Sequence, residues 1–315
     1  MLHPDAALLM PRPSVDAVTT RQHLTSTDEL ARLLQGPADA RTPVVLDATV
    51  LQVTGFDGHP GYVTGHERYL VEGHVPGAVF ADLLEEFSDS TGDYPFTRPD
   101  AVRFAAAASA LGIDEHTPVV VYDMSVGQWA ARLWWVFRSF GHDDVTILDG
   151  GLRKWEAEER PIEVGHVQPS AAAYGETAGR DGFWADKERV HRAVEGDEPA
   201  TLVCGLPPKE FTGEAGHRPR RGHIPGSVSA PASRLVDRET NAFLNDDDLR
   251  VVLTDVYTSA DPIVAYCAGG VAASSDALAL ALLGRHDVSV YDGSLNEWST
   301  DPDAPLATAA GVSKA

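Results

Sequence analysis

Three short strings in this chain occur twice, in the same order. Gly73-His74-Val75-Pro76-Gly77-Ala78 returns as Gly222-His223-Ile224-Pro225-Gly226-Ser227. Val119-Val120-Val121-Tyr122 returns as Ile263-Val264-Ala265-Tyr266. Leu148-Asp149-Gly150-Gly151-Leu152-Arg153-Lys154-Trp155 returns as Tyr291-Asp292-Gly293-Ser294-Leu295-Asn296-Glu297-Trp298. The spacing between partners drifts, so the loops differ in length and the chain is not a strict solenoid. Two copies of roughly 130 residues divide 315 residues into two domains. Whatever fold this sequence adopts must be buildable twice.

Each copy offers strands alternating with helices. In the first, Ser26-Thr27-Asp28-Glu29 is a capping box ahead of Leu30, Leu33 and Leu34. Val44-Val45-Leu46 is a short apolar run of the buried-strand kind, followed by a loop and the His-Pro-Gly turn. A helix carrying Val102, Phe104, Ala105, Ala108 and Leu111 stops at Gly112. Val119–Tyr122 is a second buried strand, Gly127–Phe140 a helix ended by Gly141, and Val145–Leu148 a third strand. Such alternation predicts an α/β fold, a mostly parallel sheet with helices on both faces, in each domain. The expected divisions are a mobile tail over 1–23, a first domain over 24–156, a linker over 157–181 and a second domain over 182–308. The last few residues are expected to fray.

The net charge is −22, from 25 basic and 47 acidic residues. Such a field repels phosphate backbones and anionic membranes, which argues against nucleic-acid and membrane partners. No stretch approaches the ~20 apolar residues of a membrane span. Ala6-Ala7-Leu8-Leu9-Met10 is short, ends at Pro11 and has no basic flank before it, so it reads as tail, not signal peptide. The only cysteines are Cys204 and Cys267. They make no disulfide framework, and no Cys/His cluster calls for a metal. A reducing cytoplasm is the expected home, where a lone cysteine is a candidate nucleophile.

Cys267 ends an apolar strand and opens the loop Ala268-Gly269-Gly270-Val271-Ala272, with a helix immediately after. Open α/β sheets bind ligands at the carboxyl ends of their strands. A small, glycine-rich loop lets backbone N–H groups turn inward around an anion, and the helix adds its positive end. A sulfur there is held as the thiolate. Cys204 aligns with Asp47 and lacks such a loop. It packs in the core, or it serves Cys267 as a resolving thiol. The Asp246-Asp247-Asp248 run reads as helix cap and solvated surface. Trp129, Trp134, Trp135, Trp155 and Trp298 read as core or interface aromatics, and Arg132 as the partner of an acidic neighbour across its helix.

The duplicated His-Pro-Gly turns, Val119–Asp123, the stretch Ala130-Ala131-Arg132-Leu133-Trp134-Trp135, the Asp-Gly-Gly turn before Trp155, and Tyr266-Cys267 together resemble a tandem rhodanese sulfurtransferase over residues 24–300. The resemblance implies two rhodanese-like domains, no cofactor and no metal. It implies that Cys267 accepts a sulfane sulfur from thiosulfate or 3-mercaptopyruvate, and that residues 268–272 hold the persulfide. The sulfur then goes to cyanide or a thiol, with a thioredoxin-like reductant a further partner. Asp123 at the equivalent place makes the first domain non-catalytic, a cover for the site. The neutral loop resembles the mercaptopyruvate type, yet Gly269 stands where that type has Ser or Thr. Leu206 stands where family members carry a donor-binding arginine. Arg218, Arg220 and Arg221 are the expected substitutes for it, and His74 is the expected polar group from the first domain. A weakly active scaffold is the alternative. A phosphatase needs an arginine where Ala273 stands, and neither a dinucleotide fingerprint nor a hydrolase elbow occurs.

Overall fold

In the computed structural model, residues 22–36, 42–55 and 60–313 are described. They form two parallel five-stranded sheets with the same strand order. The first runs Leu24–Thr25, Val145–Leu148, Val119–Tyr122, Val44–Asp47, Val79–Phe80. The second runs Trp184–Ala185, Val288–Tyr291, Ile263–Tyr266, Thr201–Cys204, Val228–Ser229. The central strands Val119–Tyr122 and Ile263–Tyr266 are buried at every residue. Helices cover both faces, so a continuous apolar run suits these strands better than alternation.

The expected cap at Ser26 forms, and Asp100 and Asp186 cap two further helices. Ser26 Oγ accepts from Glu29 N, Asp100 from Arg103 N and Asp186 from Arg189 N. Asn245, ahead of the acidic run, is the cap there, and Asp246–Asp248 fill the first turn.

The duplication extends to single hydrogen bonds. His74 and Glu163 exchange backbone bonds, as do His223 and Ala307. The Tyr122 hydroxyl accepts from Val75 N, and that of Tyr266 from Ile224 N. Trp155 donates to Pro161 O and Trp298 to Pro305 O. Gly73 and Gly222, at φ 113° and 110°, allow the close approach: a Cβ would lie 2.2 Å from the Ile162 side chain and 2.1 Å from Ala307 O. The repeated turn and tryptophan thus staple each domain's returning chain to its sheet.

Several expectations change. The tail falls outside the described residues at 1–21, but His23 is buried and meets the Trp134 ring edge-on. The loop after Val44–Asp47 contains a hairpin, Val50–Thr54 with Pro60–Thr64, whose β-branched and aromatic residues suit extended backbone. The expected linker has little regular structure but lies along the first domain, with Ala172 N bonded to Ser109 O and Tyr174 against Phe104. Regular structure runs past the expected end at 308: Leu306–Thr308 pairs with Gly311–Ser313, and residues 314–315 lie outside the described residues. Among the described residues no helix is long and apolar enough to cross a membrane.

The helices that follow the two strand-end loops, Gln128–Ser139 and Val271–Leu282, pack on each other between the domains. Nearly every residue of both is buried, as a helix covered on all sides requires. This contact brings the second domain's loop against the first domain.

Candidate active site

Cys267 lies at the carboxyl end of Ile263–Tyr266 and lines a cavity of about 610 Å³. Ala268, Gly269, Val271, Ala272 and Asn296 form its floor. The first domain contributes Gln52, Tyr62, Phe96, Gln128 and Trp129. Tyr62 stands on the hairpin, so the segment expected to be a plain loop delivers a site residue. Burial, the largest cause, raises its phenol above the ordinary range and keeps it protonated. Trp129 is not purely a core aromatic: it lines the cavity and packs against Phe96 and Tyr62, ring centroids 5.2 and 5.8 Å away.

The first domain holds a twin of this loop. Asp123 stands at the end of Val119–Tyr122 and is fully buried. Its Oδ1 accepts from Ser125 N (2.7 Å) and Gly127 N (3.1 Å), its Oδ2 from Trp129 N and Ala130 N (both 2.9 Å). Four amides therefore enclose a carboxylate at the position that Cys267 occupies in the other domain. Leu152 N donates to Asp123 O as Leu295 N donates to Cys267 O, both at 3.1 Å. The second loop reaches its helix one residue sooner, since Gly127 and Gly270 are the respective N-caps.

Ser294 marks the difference between the twins. It replaces Gly151 and keeps the left-handed backbone, φ 49° against 59°. A non-glycine residue there is strained. Its hydroxyl accepts from Cys267 N (3.1 Å) and Gly270 N (3.0 Å) and donates to Tyr291 O (2.7 Å). The expectation that all of residues 268–272 turn their amides to the sulfur is corrected at Gly270, whose N–H is taken. Ala268, Gly269, Val271 and Ala272 remain as candidates. Comparing Gly150-Gly151 with Gly293-Ser294 was the signal that could have found this residue. Ser294→Ala should cost about 1–3 kcal/mol of unfolding free energy, because strain persists while two buried amides lose their acceptor. Ser294→Gly should be the more stable of the two variants. Urea denaturation measures both, and equal stabilities would contradict the strain.

The other expected site residues separate. Arg218 lines the cavity, paired with Glu210 at 3.1 Å, and His217 lies beside them. Arg220 does not line it: its guanidinium caps the carbonyls of Asp301 and Ala304, a structural duty within its own domain. Arg221 is exposed and also outside. His74 is fully buried, stacks on Tyr69 at 4.0 Å and sets its ring nitrogens against the carbonyls of Val75 and Gly165. It is a fold residue, away from the cavity. Cys204 pairs in register with Tyr266, and burial pushes its thiol up to about 12. A thiol kept protonated suits packing and not resolving chemistry. Arg132 pairs across the domain interface with Asp292, not across its own helix. Among the described residues no His, Cys, Asp and Glu group could hold a metal ion.

A family model described as the rhodanese-like domain matches residues 26–158 and again 191–301. The 3-mercaptopyruvate sulfurtransferase of Homo sapiens is 34% identical over 287 residues, covering 87% of this chain and 91% of that protein. The thiosulfate sulfurtransferase of Gallus gallus is 33% identical over 251 residues, covering 79% and 86%. The crystal structure of SseA from Escherichia coli, described as having the rhodanese fold of 3-mercaptopyruvate sulfotransferases, matches with a TM-score of 0.74. It is 30% identical and covers 87% of this chain and 98% of that one.

Proposed function

This chain belongs to the rhodanese family, and from that premise we propose that it is a sulfurtransferase carrying a sulfane sulfur as a persulfide on Cys267. The observation that supports this reading most is the pair of twin loops. One folds four amides around the Asp123 carboxylate, and the other presents a sulfur at the same place. A loop of this build suits an anion, and the persulfide is one.

The Cys267 thiolate attacks the transferable sulfur, the terminal sulfur of thiosulfate or the thiol sulfur of 3-mercaptopyruvate. An S–S bond forms as the donor's bond to that sulfur breaks. The electron pair leaves as sulfite from thiosulfate, or as the enolate of pyruvate from 3-mercaptopyruvate. In the second case the donor's thiol proton passes to the enolate carbon, giving pyruvate and an anionic persulfide. Cyanide or an acceptor thiolate then attacks the outer sulfur, and Cys267 leaves as the thiolate. A dithiol of the thioredoxin type would carry the sulfur off as hydrogen sulfide while closing its own disulfide. Both domains line the cavity and Cys267 is almost fully buried, which would limit water around the persulfide.

The cavity favours 3-mercaptopyruvate as donor. Gln52, Gln128, Asn296 and Tyr62 offer neutral hydrogen bonds, and Arg218 is already paired with Glu210. Such a set suits a ketone and one carboxylate better than a compact dianion, which calls for unpaired cations. Steady-state kinetics with cyanide as common acceptor should give a kcat/KM roughly 10- to 100-fold higher for 3-mercaptopyruvate, the worth of one charged hydrogen bond. A preference for thiosulfate would overturn this donor assignment.

A further inference from the structure

One charged side chain of the first domain reaches beneath the second domain's loop. Arg132, on the helix Gln128–Ser139, is completely buried. Its Nη2 donates to Phe96 O and, at 2.6 Å, to Asp292 Oδ1. Its guanidinium lies over the Trp184 ring, 4.7 Å from the centroid. Nη1 and Nε have no hydrogen-bond partner among the described residues. Nη1 abuts Gly270, where a Cβ would come within 2.9 Å of it. The residue that caps the loop's helix therefore also opens space for a buried cation. Asp292 is shared, since its Oδ2 accepts from Arg98 N at 2.9 Å.

Asp292 compensates the guanidinium on its Nη2 side, but the Nη1–Nε edge has buried donors with no acceptor among the described residues, which favours a further negative charge nearby. The loop above acquires such a charge whenever its sulfur is ionised. The other titratable groups around that sulfur supply little positive potential. Glu210 and Arg218 offset each other, Tyr62 is protonated, and Cys204 is a buried thiol. His217 also lines the cavity, next in sequence to Arg218.

We propose that Arg132 is a positioning residue that lends the loop the positive charge it lacks, so that the first domain's cation keeps the Cys267 sulfur ionised as thiolate and persulfide. The proposal rests on the reading that Cys267 carries the sulfur. The sequence offered Arg218, Arg220 and Arg221 as the site's cations and missed Arg132, because this one comes from the other domain.

The test uses the full chain with Arg132→Met, Arg132→Lys and Asp292→Asn. The readouts are the pH profile of Cys267 alkylation by iodoacetamide, followed by peptide mass spectrometry, and the thermal midpoint. Arg132→Met should move the profile up by roughly one pH unit, and Arg132→Lys should largely restore it. Asp292→Asn, which leaves the cation without its counter-charge, should move the profile down. If the pair only fastens the domains, Met and Asn variants lose thermal stability alike and the profile stays put or moves one way. That result overturns the proposal, and Asp292→Asn alone decides it should Arg132→Met not fold. Opposite shifts in an enzyme whose Cys267 takes up no sulfur from either donor would uphold the charge relation and overturn the proposed function instead.

Discussion

Cys267→Ser should reduce sulfur transfer to the uncatalysed level while leaving the fold in place. The thiolate is asked to do two things that a hydroxyl at neutral pH does not do. It must attack a divalent sulfur, and it must leave again when the acceptor attacks. A serine alkoxide is unavailable at neutral pH, and the loop's amides cannot make one. The side chain is 2% exposed, and the exchange removes little volume, so stability should change by only about 1 kcal/mol. Incubation with 3-mercaptopyruvate or thiosulfate followed by mass spectrometry should find one added sulfur on the wild-type Cys267 peptide and none in the variant. Cys204→Ala is the control. Its thiol is pushed up to about 12 and packed within the sheet, so the variant should transfer sulfur and lose only stability. Turnover surviving in Cys267→Ser, or lost in Cys204→Ala, would remove the basis of the proposed function.

The parts of this molecule that were legible in the sequence are those specified locally. A capping box needs only Ser26 and Glu29, and a buried parallel strand needs only an apolar run such as Val119–Tyr122. Because the chain repeats, each such signal was available twice, and Cys267 could be placed at a strand end by comparison with Asp123. What was not legible depends on side chains meeting across hundreds of residues. Tyr62 shows it: nothing near it in the chain says that its hairpin will face a loop in the other domain. Arg218 and Arg220 are two residues apart, yet one lines the cavity and the other ties down Asp301 and Ala304. Local sequence cannot separate them, since which arginine turns inward is decided by the path of the C-terminal segment. Ser294 is intermediate. Its difference from Gly151 was visible in the repeat, but the reach of its hydroxyl to two amides needed coordinates.

Asp47 and Asp276 should make this protein less stable as pH rises from 4 to 6, the reverse of the usual behaviour of paired carboxylates. Burial is the main cause in both. Asp47 is 2% exposed, and its carboxyl is pushed up to about 6 despite a bond from Thr49 N. Asp276 is fully buried with no hydrogen-bond partner among the described residues, and burial raises it well above the usual carboxylate range. Below the unfolded value of 3.8 both states hold the proton, and no penalty exists. Above it the unfolded chain releases the proton while the folded chain keeps it, so stability falls until the folded value is passed. For Asp47 the window is 3.8 to about 6, and at about 1.4 kcal/mol per unit the loss is about 3 kcal/mol. His23 opposes this. Burial lowers it from 6.5 to about 4, so its contribution is lost as pH falls through that range. The opposed slopes partly cancel in the wild type, and the variants separate them. Asp47→Asn keeps the shape and the bond from Thr49 N but cannot ionise. Its stability relative to wild type should climb between pH 4 and 6 and then level off about 3 kcal/mol higher. Asp276→Asn should show the same sign, since burial raises that carboxyl well above its unfolded range. Urea denaturation at several pH values measures each difference directly. A difference that stays flat across the window would mean that the buried carboxyls titrate as they do in the unfolded chain, and that water reaches them in the folded one.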